Sequence, residues 1–345
     1  MTEPLLEVSG LTIQYETSDG MLTAVSNASF EIDQNESVGL IGESGCGKST
    51  LMKAIVRGLA SNGEVTNGSI RYDGHDIVAM SDREYNKTLR WKEISYIPQG
   101  SMSNLDPLQR IDKKVVEVAK AHTDFTKTEA LETFTEMLEI VGLSEERLKE
   151  YPHQLSGGMK QRIAIALALF LEPSLLIADE PTTALDVIMQ DQVFKYLQDI
   201  GEETDTSILL VTHDISLVFE SSDKAIVMHS GQIAESGPVT SIYDEPRHPY
   251  SVLLSEAFPD IRDPKRDLSV IDGVPPQIYD TVQECTFADR CPLATEICHE
   301  RAPPLESIGE GTGDSTHAAA CFHTDRIDEV PSTRLDLQTR GVTDD

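Results

Sequence analysis

The sequence predicts an α/β fold around a largely parallel sheet. Wholly apolar strands alternate with helical segments, and one such strand runs into a glycine-rich loop that opens a helix. The apolar strands are VGLI at 38–41, SLLIAD at 174–179 and SILLVTH at 207–213. Before them, LLEVSGLTIQY, a Ser18-Asp19-Gly20 turn and AVSNASFEI read as short strands joined by a turn. After VGLI comes the loop and then STLMKAIVRGL, which suits a helix. Residues 69–98 return to strand and turn character, and 113–141 read as largely helical from the spacing in VVEVAKA and ALETFTEMLEIV. Further helices are expected from about Met159 to Leu171, closed by Pro173, and from about Val187 to Ile200.

Length and composition set the domain plan. At 345 residues, one large domain with a smaller appendage is expected, and 39% hydrophobic residues suffice for a packed core. The large domain is placed at 1–245, with a helical subdomain at about 100–170. Past Gly237 the chain turns rich in proline and cysteine, which predicts a small Cys-rich C-terminal domain over 246–325 and a polar tail over 326–345. The longest apolar run, Ile163 to Leu171, is about half of the ~20 residues that cross a bilayer. MTEPLLEVSG lacks a basic stretch followed by an apolar one, so a signal peptide is not expected. Any membrane association is therefore expected through a partner.

The net charge of −31 opposes broad binding to a phosphate backbone and argues against a nucleic-acid partner. Acidic residues are spread along the whole chain, as on proteins of salt-adapted, halophilic archaeal and bacterial cells, where salt screens self-repulsion. The plain alternative is an acidic soluble protein.

Three segments carry chemistry. Gly42-Glu43-Ser44-Gly45-Cys46-Gly47-Lys48-Ser49, followed by Thr50, fits G-x-x-x-x-G-K-[ST] between a strand and a helix. Glycines let backbone N–H groups wrap phosphate oxygens, and the helix presents its positive end to the same anion. Lys48 is placed for the β/γ-phosphates of ATP and Ser49 for Mg²⁺. Asp179 and Glu180 end the apolar strand LLIAD, so Asp179 suits the Mg²⁺ side and Glu180 suits a general base for water. Ser156-Gly157-Gly158 opens a helix and offers a second anion-binding N-terminus. One subunit has no need of two such ends on one γ-phosphate, whereas a head-to-tail pair of subunits has. Each has a bland reading: a glycine-rich turn, an acidic strand end and a serine N-cap.

The order of phosphate loop, Gln99, LSGG, Asp179-Glu180, Ala184-Leu185-Asp186 and His213 resembles the nucleotide-binding subunits of ABC ATPases over residues 5–245. The resemblance implies a P-loop core with an antiparallel β subdomain and a helical subdomain. It implies that Tyr15 stacks on adenine, that Gln99 contacts Mg²⁺ and the attacking water, that Asp186 lies at the subunit interface and that His213 senses the γ-phosphate. Alone, Tyr15 reads as sheet packing, Asp186 as a helix cap and His213 as a solvated polar residue.

Tyr151-Pro152-His153-Gln154, ADEPTTALDV, Arg247-His248-Pro249-Tyr250-Ser251, Gly273-Val274-Pro275-Pro276 and Cys285-Thr286-Phe287 through Arg290-Cys291-Pro292 are similar to the oligopeptide and dipeptide branch of that family, which extends the likeness to about Cys321. That branch implies ATP hydrolysis energising import of di- or oligopeptides, nickel complexes or oligosaccharides. The implied partners are a second ATPase subunit, identical or a paralogue, two membrane permeases and an extracellular solute-binding protein, with the chain peripheral on the cytoplasmic face of the membrane. Gln99-Gly100-Ser101 departs from the Gln-Asp-Pro or Gln-Glu-Pro frequent there, and Thr281 to Glu284 replaces a Pro-x-Gly. A soluble ABC ATPase of DNA repair or translation is the rival. The chain has neither the sustained heptads nor the second fused unit usual for that class.

Cys285, Cys291, Cys298 and Cys321 cluster in the loop-rich C-terminal segment. With no export signal, reduced thiols are expected rather than disulfides. Four thiols suit a [4Fe–4S] cluster or Zn²⁺, a staple that domains with little core need. No spacing is the C-x-x-C common for zinc, and Cys291-Pro292 is similar to the Cys-Pro of cluster ligands. The resemblance implies a cluster in some members of the branch, and unmetallated thiols remain the third reading.

Overall fold

The computed structural model describes residues 3–100, 105–182, 190, 192–197, 205–257, 271–308 and 317–331. Described residues of 1–31, 38–78 and 212–345 form one compact unit, and those of 32–37 and 79–211 form another.

The first unit holds an antiparallel sheet in the order Ile278–Tyr279, Gly20–Ile32, Leu6–Thr17, Gly63–Tyr72, His75–Asp76. Leu6–Thr17 alternates buried and half-buried positions, as a strand with one covered face must. The strand Ser37–Ile41 pairs in parallel with Lys224–His229, in register from Val38↔Lys224 to Ile41↔Val227. Beyond it the pairing is antiparallel through Gln232–Pro238 and Ala318–Ala319 to Glu306–Ser307. Two C-terminal strands thus extend the sheet that carries the phosphate loop, and a third, Ile278–Tyr279, joins the antiparallel sheet. The described C-terminal residues pack with the phosphate-loop unit and do not form a compact unit of their own.

In the second unit Ile94–Ile97, Leu175–Asp179 and Ser207–Val211 pair in parallel. All five residues of each of the last two strands are buried, so their apolar runs fit a sheet covered on both faces. The helical stretch expected over 113–141 is two helices, Ile111–His122 and Lys127–Ile140. The break has a local cause: the Thr126 hydroxyl accepts from the Glu129 N–H while the Glu129 carboxylate accepts from the Thr126 N–H, a capping box that starts a new helix. Phe134 of the second helix meets Phe170 edge-on, ring centres 5.6 Å apart, and both are buried. Within 69–98 lies a helix the pattern did not suggest, Asp82–Thr88, capped by Ser81. Of the helix expected over 187–200, residues 190 and 192–197 are described and helical. No helix among the described residues is long and apolar enough to cross a membrane.

Candidate active site

In the first unit the phosphate loop joins the strand ending at Ile41 to the helix Lys48–Ile55. Two of its glycines are sterically required. At Gly42, φ is 152° and an added Cβ would come within 2.2 Å of the Met228 carbonyl oxygen. At Gly47, the helix N-cap, φ is 107° and a Cβ would come within 2.3 Å of the Ala24 carbonyl oxygen. Ser44 and Gly45 at the crest are exposed, whereas Cys46 is buried. Lys48 is 6% exposed, and its Nζ donates to the carbonyls of Gly42 at 2.7 Å and Glu43 at 2.9 Å. The ammonium group is thereby aimed inside its own loop. Burial pushes the Cys46 thiol up, against the pull of Lys48, so it stays protonated beside that ammonium. Ser49 and Thr50 lie in the first turn of the helix, where a phosphate or its counter-cation would meet the amide end.

Tyr15 pairs in register with Gly63, and its ring covers the place a Cβ would take there, 2.4 Å from Cε1. Glycine at 63 thus lets the ring lie flat on the sheet, half-buried. His213 is exposed in the turn before the helix Ile215–Ser221, which Asp214 caps through the Ser216 N–H at 3.0 Å.

In the second unit the strand Leu175–Asp179 delivers two carboxylates with different surroundings. Asp179 is 2% exposed, and its Oδ2 accepts from the Tyr96 hydroxyl at 3.1 Å. Burial and the Asp179 charge push the Tyr96 phenol up, so it remains a donor at any working pH. Glu180 is half-buried, has a left-handed backbone (φ 47°) and donates its N–H to the Val211 carbonyl at 2.8 Å. Such a conformation costs a residue with a Cβ roughly 1–2 kcal/mol and turns this side chain away from the line of the strand. Gln99, exposed, donates from Nε2 to Glu180 Oε2 at 2.6 Å. The structure therefore brings Gln99 and Glu180 together. Ser156 caps the helix Gly157–Leu169, accepting from the Met159 N–H at 3.3 Å, and Ser156 and Gly157 are exposed. That helix end is open to a ligand presented by another molecule. Asp186, Ala184, Leu185 and Ser101 lie outside the described residues.

The four C-terminal cysteines are free thiols in the phosphate-loop unit. Burial pushes Cys291 up to about 11 and Cys321 up to about 12, and the neighbouring thiols add to both shifts. Cys285 moves the same way, from burial first and Cys298 among the later causes. Backbone N–H groups of Phe287 and Ala288, of Leu293 and Ala294, and of His323 face Cys285, Cys291 and Cys321 respectively and favour their thiolates. The Cys285 N–H donates to the Cys298 carbonyl at 2.9 Å, which fastens two of the cysteine loops together. As they stand, no three His, Cys, Asp or Glu side chains among the described residues are arranged to hold a metal ion. In donor type and amide surroundings the thiols suit iron–sulfur or zinc ligation; they are not closed into a ligand set.

Sequence reasoning assigned no role to Tyr96, Tyr250 or Arg290. Tyr96 stands three residues before Gln99, and its only signal was the strand pattern of ISYI. Tyr250 was visible within Arg247-His248-Pro249-Tyr250-Ser251; its hydroxyl accepts from the Glu43 N–H at 2.9 Å. Arg290 precedes Cys291, and its guanidinium forks onto the Glu43 carboxylate at 2.8 Å on each oxygen.

A glycine-cradled lysine at a helix start, an Asp-Glu strand end with a glutamine on the glutamate, and an exposed Ser-Gly-Gly helix end together define a P-loop nucleotide hydrolase of the ABC type. Comparison with known proteins agrees: residues 25–183 match the ABC transporter family and residues 234–298 the oligopeptide/dipeptide transporter C-terminal region. The oligopeptide transport ATP-binding protein OppD of Salmonella typhimurium is 41% identical over 92% of this chain and 93% of its own. The dipeptide transport ATP-binding protein DppD of Bacillus subtilis is 37% identical over 94% and 96%. Among solved structures, the dimeric post-hydrolysis state of the ATP-binding cassette MJ0796 with ADP and Pi superposes with a TM-score of 0.61 at 28% identity, covering 68% of this chain and 98% of that one. The chain belongs to the ATP-binding subunits of the oligopeptide/dipeptide branch of the ABC transporters.

Proposed function

We propose that this ABC ATPase hydrolyses MgATP to energise import of di- or oligopeptides, with residues 1–245 as the ATPase domain and 246–325 as its Cys-rich extension; of the tail expected over 326–345, Ile327 and Val330 are instead buried in a cluster with Val252 and Leu293. The observation that supports the reading is the 2.6 Å hydrogen bond from the Gln99 amide to Glu180, the carboxylate suited to act as base, with Gln99 then able to orient the water. Lys48 and the amides within Gly42 to Thr50, apart from that of Glu43, which is donated to the Tyr250 hydroxyl, bind the phosphates, Tyr15 offers a ring face to adenine, and His213 responds to the γ-phosphate. Ser49, Gln99 and Asp179 would hold Mg²⁺, which neutralises charge that develops on the phosphoryl oxygens. Ser156, Gly157 and Gly158 close over the nucleotide of a second ATPase subunit, whose own helix end closes over this one, with Asp186 at that interface. Hydrolysis and reopening act on two permeases, which a solute-binding protein supplies, so the subunit sits peripherally on the cytoplasmic face of the membrane. Inside-out vesicles carrying this subunit with its permeases, and loaded with the solute-binding protein and a labelled peptide, should release the peptide only when MgATP is added outside. Nucleotide-independent or nickel-specific movement would remove the peptide assignment.

The four cysteines, in this reading, hold a [4Fe–4S] cluster, with Zn²⁺ as the rival; the group would staple a segment with little core of its own. Amides already directed at three sulfurs support it. Protein purified without oxygen should contain about four iron and four sulfide per chain and absorb in the visible. Colourless protein with one zinc decides for the rival. The halophilic reading rests on charge alone, and the relatives named above are bacterial.

A further inference from the structure

Glu43 brings a carboxylate to the loop proposed to hold a triphosphate. It is the second residue of the loop that grips the phosphates, and its carboxylate adds a negative charge where four more are to be bound. The fold answers with a cation from far along the chain. Arg290, 247 residues away and with a side chain 6% exposed, donates from Nη1 to Glu43 Oε2 and from Nη2 to Oε1, each at 2.8 Å. Its other donors are fixed as well: Nε to the Asp272 carbonyl at 2.8 Å, and Nη1 to His229 Nε2 at 3.3 Å. His229 is buried, and burial with the Arg290 charge holds it down to about 3, so the neutral ring accepts at Nε2. Its Nδ1–H then donates to the Thr286 hydroxyl at 2.9 Å. Tyr250, fully buried against Phe287 and His229, fixes the Glu43 N–H from the other side. Thr286 follows Cys285 and Arg290 precedes Cys291, so the grip on the loop comes from the cysteine segment itself.

We infer that Arg290 is a positioning residue of the phosphate loop: it neutralises Glu43 and holds it aside, so nucleotide affinity depends on the C-terminal cysteine segment. The inference rests on the nucleotide-binding role of the loop proposed above. A bidentate fork is the geometry that arginine alone supplies to a carboxylate, and its shielding from solvent limits screening by salt.

The test is a double-mutant cycle on the full chain, titrated with a fluorescent ATP analogue and Mg²⁺ at low and at high salt. Arg290→Gln should weaken binding about tenfold at low salt and less at high salt, because an unpaired Glu43 then repels the phosphates. Adding Glu43→Gln should bring affinity back to within about threefold of wild type. Arg290→Lys, which keeps the charge without the fork, should fall between the wild type and Arg290→Gln. Thermal midpoints are read alongside, since Arg290 also packs over the Phe287 ring at 5.6 Å. A double variant that binds no better than Arg290→Gln would show a merely structural arginine and overturn the inference, as would an Arg290→Gln that binds like wild type. A wild type that does not bind the analogue would instead overturn the reading of the loop.

Discussion

Replacing Glu180 with glutamine should cut ATP turnover by at least ~10²-fold while leaving affinity for MgATP within about threefold. The expectation follows from what the substitution changes. Glutamine keeps the length and planar end of glutamate, and its carbonyl oxygen still accepts the Gln99 amide that now reaches Oε2 at 2.6 Å. The backbone need not move, because the left-handed turn and the N–H bond to Val211 do not involve the side chain. What is lost is the negative charge and the capacity to take a proton from water. In the proposed function, phosphate binding rests on other residues: Lys48, the loop amides and Asp179 on the Mg²⁺ side, whose carboxylate accepts from the Tyr96 hydroxyl. Turnover and binding should therefore separate. Steady-state phosphate release and equilibrium binding of the fluorescent analogue, measured on one preparation, check this. A variant that hydrolyses at near the wild-type rate removes Glu180 from the role of base. One that loses binding and turnover together points to a disturbed strand end instead.

Much of this site was legible because its chemistry is written in contiguous residues. Gly42 to Ser49 is a run whose steric demands, a φ of 107° at Gly47 for one, only glycine meets cheaply. The strand LLIAD announces its burial by an unbroken apolar run and its proposed role by the acids at its end. Ser156 caps its helix as the Ser-Gly-Gly pattern suggests, although the helix begins at Gly157 rather than near Met159. Contacts distant in sequence were not legible. Nothing near Arg290 says that its partner is Glu43, and nothing near Tyr96 says that its hydroxyl reaches Asp179 across a strand pair. The capping box at Thr126 was local, yet the helical spacing on both sides of it hid the break. The pairing of the C-terminal segment was hidden for a related reason. Proline and short runs read as a small appended domain, and nothing in them says that its two-residue strands join the sheet that bears the phosphate loop. Edge pairing of two residues leaves no periodicity to detect.

Lys48→Ala should lose affinity for the ATP analogue by roughly 30-fold to several thousand-fold, the range of about 2–5 kcal/mol that follows removal of one partner from a buried, hydrogen-bonded charge pair. Lys48 is 6% exposed, and its ammonium is directed by two carbonyls of the same loop, so it meets a phosphate already oriented and partly stripped of water. Alanine would leave the Gly42 and Glu43 carbonyls facing the phosphates without a cation between them, which adds repulsion to the lost attraction. Circular dichroism and a thermal midpoint close to wild type would exclude loss of fold as the cause. This deficit differs in kind from the one expected at Arg290. There the missing cation exposes a carboxylate, and removing the carboxylate restores the balance. At Lys48 the missing cation is the ligand itself, so Glu43→Gln added to Lys48→Ala should recover less than about threefold. Equal recovery in both backgrounds would mean that Lys48 serves only to offset Glu43, and the lysine would then have no direct hold on the phosphates.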